Sequence, residues 1–225
     1  MHPKKELEVL TMNRCVIIGA ARIGDYAHMR KIIRDEDFVI YCDGGLMHFS
    51  KDGLDRAPDL VVGDFDSYQL PEGFADTVET IVLPCEKDDT DTVYAMKEAL
   101  RRGYKDFLFL GVIGERLDHT LGNVYMLEYL AQAGVFAKLR DDFSEIQMIS
   151  AGETVYVEDC FRFSLLNISG TAQGITINGA KYPLQNGTIE SRYQYGISNE
   201  TLPGEKTTVS LEEGSLLLIR VLKRS

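Results

Sequence analysis

Short apolar runs recur along the first half of the chain, and each is closed by glycine or by a carboxylate. Cys15-Val16-Ile17-Ile18 ends at Gly19, and Phe38-Val39-Ile40-Tyr41 runs into Cys42-Asp43-Gly44-Gly45. Leu60-Val61-Val62 breaks at Gly63-Asp64-Phe65-Asp66, and Phe107-Leu108-Phe109-Leu110 at Gly111. Runs of this length, apolar at every position, read as strands buried on both faces. Thr77 to Leu83 is a further β-rich run, leading into Pro84-Cys85-Glu86-Lys87-Asp88-Asp89-Thr90-Asp91-Thr92. Between the runs the apolar period lengthens to that of a helix. Asp25 to Arg34 carries Met29, Ile32 and Ile33 at helical spacing. A second helix follows Thr90 or Asp91 as N-cap, with Val93, Met96 and Leu100 on one face and Gly103 at its end. A third runs from about Thr120 to Ala133, with Asp118 as a possible N-cap and Leu121, Val124, Leu127 and Leu130 as its buried stripe. Strands alternating with helices to about residue 141 predict a doubly wound, mostly parallel sheet with helices on both faces.

The texture changes near residues 140–152. Val155-Tyr156-Val157, Phe161 to Leu166, Ile175-Thr176-Ile177, Thr207 to Leu211 and Leu216 to Val221 are short β runs punctuated by glycines, with no amphipathic helix among them. They predict a C-terminal all-β sandwich or barrel. The expected organisation is a polar lead-in (1–13), an α/β domain (14–145) and an all-β domain (146–225).

Composition narrows the function classes. The net charge is −11, and between Asp35 and Asp91 stand 16 acidic residues against 3 basic ones. Such a chain lacks the basic footprint that nucleic acid demands. No apolar stretch is long enough to span a bilayer, and the start lacks the apolar core of a signal peptide, so neither membrane nor export is expected. Cys15, Cys42, Cys85 and Cys160 are widely spaced, with no Cys-x-x-Cys pair. They read as small buried hydrophobes in a reducing compartment, hence a cytoplasmic protein.

The acidic excess is placed where chemistry happens. A solvated face accounts for Asp35-Glu36-Asp37, but not for carboxylates just after apolar strands. Asp64 and Asp66 are two residues apart, and in extended backbone such side chains point the same way. Paired like charges repel unless a cation lies between them, and Mg²⁺ with oxygen ligands suits that role. Asp43, Asp64, Asp66, Asp91 and Asp118 all fall after strands or just before helices. In an open parallel sheet that is one edge, the crevice where ligands bind. Gly111-x-x-Gly114-x-Arg116 precedes the third helix, where free N–H groups, the helix dipole and a guanidinium suit phosphate. Gly19-x-x-x-x-Gly24 lacks the Lys-Ser/Thr of a Walker loop.

Taken in order, these pieces resemble the thiamine pyrophosphokinase family: Asp43-Gly44-Gly45; Pro58-Asp59 with Gly63-Asp64-Phe65-Asp66-Ser67; Lys87-Asp88-Asp89-Thr90-Asp91-Thr92; and Gly111-x-x-Gly114-x-Arg116-x-Asp118-His119 with Asn123. Gly179-Ala180-Lys181-Tyr182-Pro183-Leu184 and Gly196-Ile197-Ser198-Asn199-Glu200 extend the match into the β-rich part. The resemblance implies transfer of the pyrophosphoryl group of ATP to thiamine, giving AMP and thiamine diphosphate. It also implies a homodimer whose site lies between the α/β domain of one subunit and the β domain of the other. It implies Mg²⁺ on Asp43, Asp64 and Asp66, and catalytic roles for Asp66, Asp91 and Asp118. ATP would be bound through Asp43, Gly44, Gly45, Lys87, Asp88, Thr90, Asp91, Gly114, Arg116, Asp118 and Asn123. Tyr182, Ser198 and Asn199 would meet thiamine, Tyr182 standing where eukaryotic relatives carry a stacking tryptophan. The proton acceptor is Asp91 or Asp118, with His119 a weaker candidate. Rival readings are a pyrophosphokinase acting on a pterin alcohol, a phosphatase of the haloacid-dehalogenase kind, and a non-catalytic sensor of thiamine or nucleotide.

Overall fold

The computed structural model describes residues 14–66, 70 and 73–222. The polar lead-in and Ser67 lie outside the described residues. Six parallel strands come first: β1 (Cys15–Ile18), β2 (Phe38–Cys42), β3 (Leu60–Gly63), β4 (Glu79–Val82), β5 (Asp106–Leu110) and β6 (Phe136–Arg140). The helices are α1 (Tyr26–Ile32), α2 (Asp91–Arg101) and α3 (Leu117–Gln132). Antiparallel strands follow: β7 (Ser144–Ser150), β8 (Thr154–Tyr156), β9 (Cys160–Leu166), β10 (Thr171–Asn178), β11 (Leu184–Glu190), β12 (Asn199–Glu200), β13 (Thr208–Ser210) and β14 (Ser215–Leu222). Among the described residues no helix is long and apolar enough to cross a membrane.

The large sheet has ten strands in the order β12-β9-β14-β7-β6-β5-β1-β2-β3-β4, and the small one has four in the order β11-β10-β13-β8. The chain is therefore mixed α/β, with a large sheet that is mostly parallel through β1 to β6 and a separate antiparallel sheet. β6 and β7 pair antiparallel, so the change of texture read near residue 145 occurs inside one continuous sheet. The strand order leaves β1 in opposite directions toward β2 and toward β5, which makes the β1/β5 gap the switch point where such sheets open a crevice.

Burial follows the two-residue period. Ile17, Ile40, Val62 and Phe109 face α2 and α3, meeting Ala95, Met96, Ala99, Leu127 and Leu130. Val16, Val39, Val61 and Leu108 face the other way, toward Met29 of α1 and Leu46 and Leu54 of the β2–β3 connection. That connection holds a six-residue 3-10 turn, Asp43–His48, in place of a full helix. A third core lies between the antiparallel strands of the two sheets, with Phe163 and Leu165 of β9 and Leu216 and Leu218 of β14 against Ile175, Ile189 and Val209.

Three expectations need correction. Helix α3 starts at Leu117 instead of about Thr120, which puts Asp118 in its first turn and not at the cap, whereas Thr90, one of the two N-caps expected for α2, does cap it by accepting from Val93 N. Leu121, read as buried, is 49% exposed, and the inward face of α3 is Asn123, Met126, Leu127 and Leu130. The helix carries a second apolar stripe at i+4 spacing, Leu117, Leu121, Tyr125 and Tyr129, all exposed. Periodicity finds apolar faces but cannot say which one the chain itself covers. Of the four unbridged cysteines, Cys15, Cys42 and Cys160 are buried as expected and Cys85 is exposed.

Candidate active site

The carboxyl ends of β2, β3 and β4 bring three carboxylates together. One oxygen from each of Asp43, Asp64 and Asp91 lies within 4.8 Å of the others. Asp43 follows β2 directly, Asp64 follows β3, and Asp91 opens α2 after the loop that leaves β4. The approach depends on Gly63: a Cβ there would sit 2.9 Å from both Cα and Cβ of Asp43. Asp43 (φ 38°) and Phe65 (φ 56°) hold left-handed backbone, which costs free energy in a non-glycine residue. Strain beside a carboxylate cluster marks a place where position matters more than local comfort.

The electrostatics are unfinished in the same place. Asp43 Oδ1 is buried without a hydrogen-bond partner. Its carboxyl titrates above the ordinary range, first because burial disfavours the anion and then because Asp91, Asp64 and Asp66 repel it, partly offset by the Gly44 backbone N–H. Lys87 Nζ bridges the other two, 2.5 Å from Asp64 Oδ2 and 3.1 Å from Asp91 Oδ1. Its hydrogen bond holds the Asp64 carboxyl low. Burial alone would lower the Lys87 ammonium, but its hydrogen bond to Asp64 and the nearby charge of Asp91 outweigh that and leave it raised. Asp91 Oδ1 has the ammonium nearby but no aligned hydrogen bond. A single lysine therefore serves a cluster of three carboxylates, whose oxygens form a hard, anionic donor set of the kind Mg²⁺ takes.

Asp66 is exposed beside the cluster, its N–H 3.4 Å from Asp64 Oδ1. Asp88 is exposed on the loop between β4 and α2, and Thr90 is spent on capping α2. Asp118 stands apart from the three. It is two-thirds exposed and paired with Arg116 through bonds of 2.6 and 3.0 Å, and that guanidinium holds its carboxyl well below the usual range. Gly44 and Gly45 lie in the 3-10 turn after Asp43. Gly114 N already donates to Thr120 Oγ1, and the buried Asn123 amide donates to Val112 O, so both brace the loop between β5 and α3.

The thiamine residues suggested by the resemblance gather on the antiparallel side. Tyr182, Pro183, Leu184, Tyr195, Gly196, Ile197 and Asn199 line a cavity of about 210 Å³. Tyr182 is 59% exposed. Asn199 is buried, and its side chain accepts from Tyr182 N and Glu200 N while donating to Tyr182 O, so it anchors the segment that presents Tyr182. Ser198 is exposed in left-handed backbone (φ 64°), its N–H donating to Ser164 Oγ.

Sequence reasoning missed three side chains here. Tyr195 belongs to the cavity, and its nearness to the Gly196-Ile197-Ser198-Asn199 motif was the available signal. His48 and Asp142 brace the loop after β1, and no spacing in the sequence announces either. His48 Nε2 donates to the carbonyl oxygen of Ala21, which fixes Nδ1 as acceptor of the Tyr26 hydroxyl at 2.7 Å. Burial keeps this ring's pKa low. Asp142 accepts from Gly24 N at 2.7 Å and Asp25 N at 3.0 Å.

Known proteins share this architecture and its order. The catalytic-domain model of thiamin pyrophosphokinase matches residues 29–138, and the vitamin B1 binding domain model of the same enzyme matches residues 155–216. The thiamine pyrophosphokinase of Bacillus subtilis (strain 168) is 32% identical over 165 residues, covering 70% of this chain and 76% of that protein. The chain belongs to the thiamine pyrophosphokinase family. Among solved structures, a thiamine pyrophosphokinase from Bacillus subtilis superposes with a TM-score of 0.81 at 26% identity, over 94% of this chain and 100% of that one. A thiamin pyrophosphokinase from Geobacillus thermodenitrificans gives 0.79 at 28% identity, over 94% and 99%. Membership makes the chain an enzyme that transfers the pyrophosphoryl group of ATP to thiamine. The Asp43–Asp64–Asp91 cluster falls within the catalytic-domain match, and the Tyr182–Tyr195 cavity within the B1-binding match.

Proposed function

We propose that Asp43, Asp64 and Asp91 hold Mg²⁺ with the triphosphate of ATP, and that Tyr182, Tyr195 and Ile197 receive thiamine. The orphaned, buried Oδ1 of Asp43 carries this reading. A buried polar atom without a partner is costly, and a divalent cation among three carboxylates is the partner that removes the cost. Bound there, Mg²⁺ would neutralise charge on the phosphates and on the departing AMP. The chain's own part is position. Gly63 admits Asp43 to the cluster, Lys87 fixes Asp64 against Asp91, and the strand ends hold the donors still while the alcohol lines up with the β-phosphorus. Of the two candidate bases, Asp91 is favoured by position: it stands in the carboxylate cluster, whereas Asp118 stands apart, exposed and paired with Arg116. Asp66, exposed beside the cluster, would add a further carboxylate for the cation.

The catalytic assembly is a homodimer in this reading. Six strand spacings separate β2 from β9 in the large sheet, roughly 30 Å at about 4.8 Å each. The thiamine cavity sits beside β9 and β12, too far for one molecule to touch both regions of one chain. A second copy brings its cavity to this chain's carboxylates. The exposed stripe Leu117, Leu121, Tyr125 and Tyr129 begins next to the Gly114–Arg116 loop and gives that copy an apolar face to cover. On this account residues 14–145 form the nucleotide half, as a doubly wound sheet, and residues 146–225 the thiamine half, as a sandwich. The unbridged cysteines favour a cytoplasmic setting.

The test separates nucleotides after incubation with ATP, Mg²⁺ and thiamine. AMP and thiamine diphosphate should appear together, and neither should appear with EDTA. Release of ADP or inorganic phosphate would point to a different transferase or a phosphatase.

A further inference from the structure

We propose that Arg22, on the loop between β1 and α1, is a cation for the phosphate chain of the nucleotide. The inference rests on the pyrophosphokinase reading and adds a residue to it. A nucleotide triphosphate brings about four negative charges to an edge already crowded with carboxylates. The cations on neighbouring strand-end loops are committed: Lys87 to Asp64 and Asp91, and Arg116 to Asp118. Arg22 is exposed and has no hydrogen bond or ion pair among the described residues.

Its loop is held with unusual care for an exposed turn. Gly19 N donates to Leu110 O at 2.9 Å and Ala21 N to Gly111 O at 2.8 Å, tying the loop across the switch point to the end of β5. His48, five residues beyond Asp43, takes Ala21 O from one side. Asp142, from beyond β6, takes Gly24 N and Asp25 N from the other. Ile23 is buried. Every neighbour of Arg22 is thus pinned while Arg22 itself is left unpaired. The loop also lies against the glycine-rich segment after β5: a Cβ at Gly114 would be 2.9 Å from Ala21 Cβ and 3.9 Å from Arg22 N. A guanidinium on a rigid, otherwise satisfied turn beside a glycine loop at the switch point suits a planar, charge-assisted grip on phosphate oxygens.

Arg22→Gln and Arg22→Lys are compared with the wild-type enzyme in two measurements. One is the steady-state kinetics for ATP and thiamine. The other is the affinity for a non-hydrolysable ATP analogue with Mg²⁺, read without turnover. Arg22→Gln should raise the KM for ATP and weaken the analogue by about tenfold, with kcat and the KM for thiamine within about twofold. Arg22→Lys should recover part of the loss. Unchanged affinity for ATP and analogue, or KM values for ATP and thiamine that rise together, would overturn the role of Arg22. Wild-type enzyme that releases ADP or phosphate in place of AMP would instead remove the functional reading underneath it.

Discussion

At the carboxyl edge of the parallel strands, Asp43 and Asp91 each keep a buried oxygen without a hydrogen bond. In the antiparallel end, buried polar side chains are bonded. Asn167 donates to Ile189 O and accepts from Ser169 N, Asn199 is spent on Tyr182 and Glu200, and Arg220 reaches Glu145, Gln147 and Tyr156 O. None of the unpartnered buried side-chain atoms among the described residues lies beyond Arg140. That end leaves apolar surface open instead, with Tyr182, Tyr193, Tyr195 and Ile197 between 46% and 69% exposed. The contrast matches the two substrates. A polyphosphate with its cation needs unspent charge, and a pair of flat heterocycles needs unspent apolar area. Each region is incomplete in the currency of the ligand proposed for it.

The largest expected effect comes from completing the charged region artificially. Asp43→Asn should lower kcat by on the order of a thousandfold, the several kcal/mol that a lost metal contact costs. Its thermal midpoint in EDTA should stay level or rise, because one of the mutually repelling carboxylates is gone. A large fall in the midpoint would mean that Asp43 is structural.

The second experiment asks whether the two regions meet across chains. Asp43→Asn and Tyr182→Ala subunits, co-expressed and purified as mixed dimers, should regain about half of wild-type activity per dimer at limiting thiamine, since one of the two composite sites is intact. A site within one chain predicts no gain over the parents. Tyr125→Glu, which puts a charge in the exposed α3 stripe, should shift the protein toward monomer in sedimentation and lower activity with it.

Those regions were unequally legible in the sequence. The parallel strands announced themselves because runs such as Val16-Ile17-Ile18 and Leu60-Val61-Val62 are apolar on both faces, and topology then placed their ends together. Asp43, Asp64 and Asp91 could be expected at one edge, but Asp66 and Asp118 carried the same signal and stand outside the tight cluster. Spacing does not encode the left-handed backbone at Asp43 or the pairing of Arg116 with Asp118. β6, β7 and β11 were missed because Phe136-Ala137-Lys138-Leu139-Arg140 and Leu184-Gln185-Asn186-Gly187 look polar or turn-like alone. They are strands because long-range partners satisfy them. Leu121 fails for a related reason: α3 has two apolar faces, and the sequence does not say which one the chain itself covers.

A smaller effect separates stacking from hydrogen bonding in the apolar region. Tyr182→Ala should raise the KM for thiamine by about tenfold, as expected for loss of an aromatic face, and leave the KM for ATP unchanged. Tyr182→Phe should behave as wild type. The smallest effect tests acid stability on the α2 surface. Arg101, with Arg102, depresses the Glu98 carboxyl from 4.5 to about 2 in the folded protein. A depressed folded-state pKa contributes stability that is full above pH 4.5 and is lost as pH falls toward 2. Glu98→Gln should therefore cost a little stability at pH 7 and flatten the acid limb of a denaturation profile between those values.

The central claim is that Asp43, Asp64 and Asp91 act together on one divalent cation. Mn²⁺ in place of Mg²⁺ allows a direct reading by electron paramagnetic resonance, with the non-hydrolysable ATP analogue present and no turnover required. Wild-type protein should bind the ion in a protein–nucleotide complex, and Asp43→Asn and Asp91→Asn should each weaken that binding by at least about tenfold. Equal Mn²⁺ affinity in all three proteins would contradict the account.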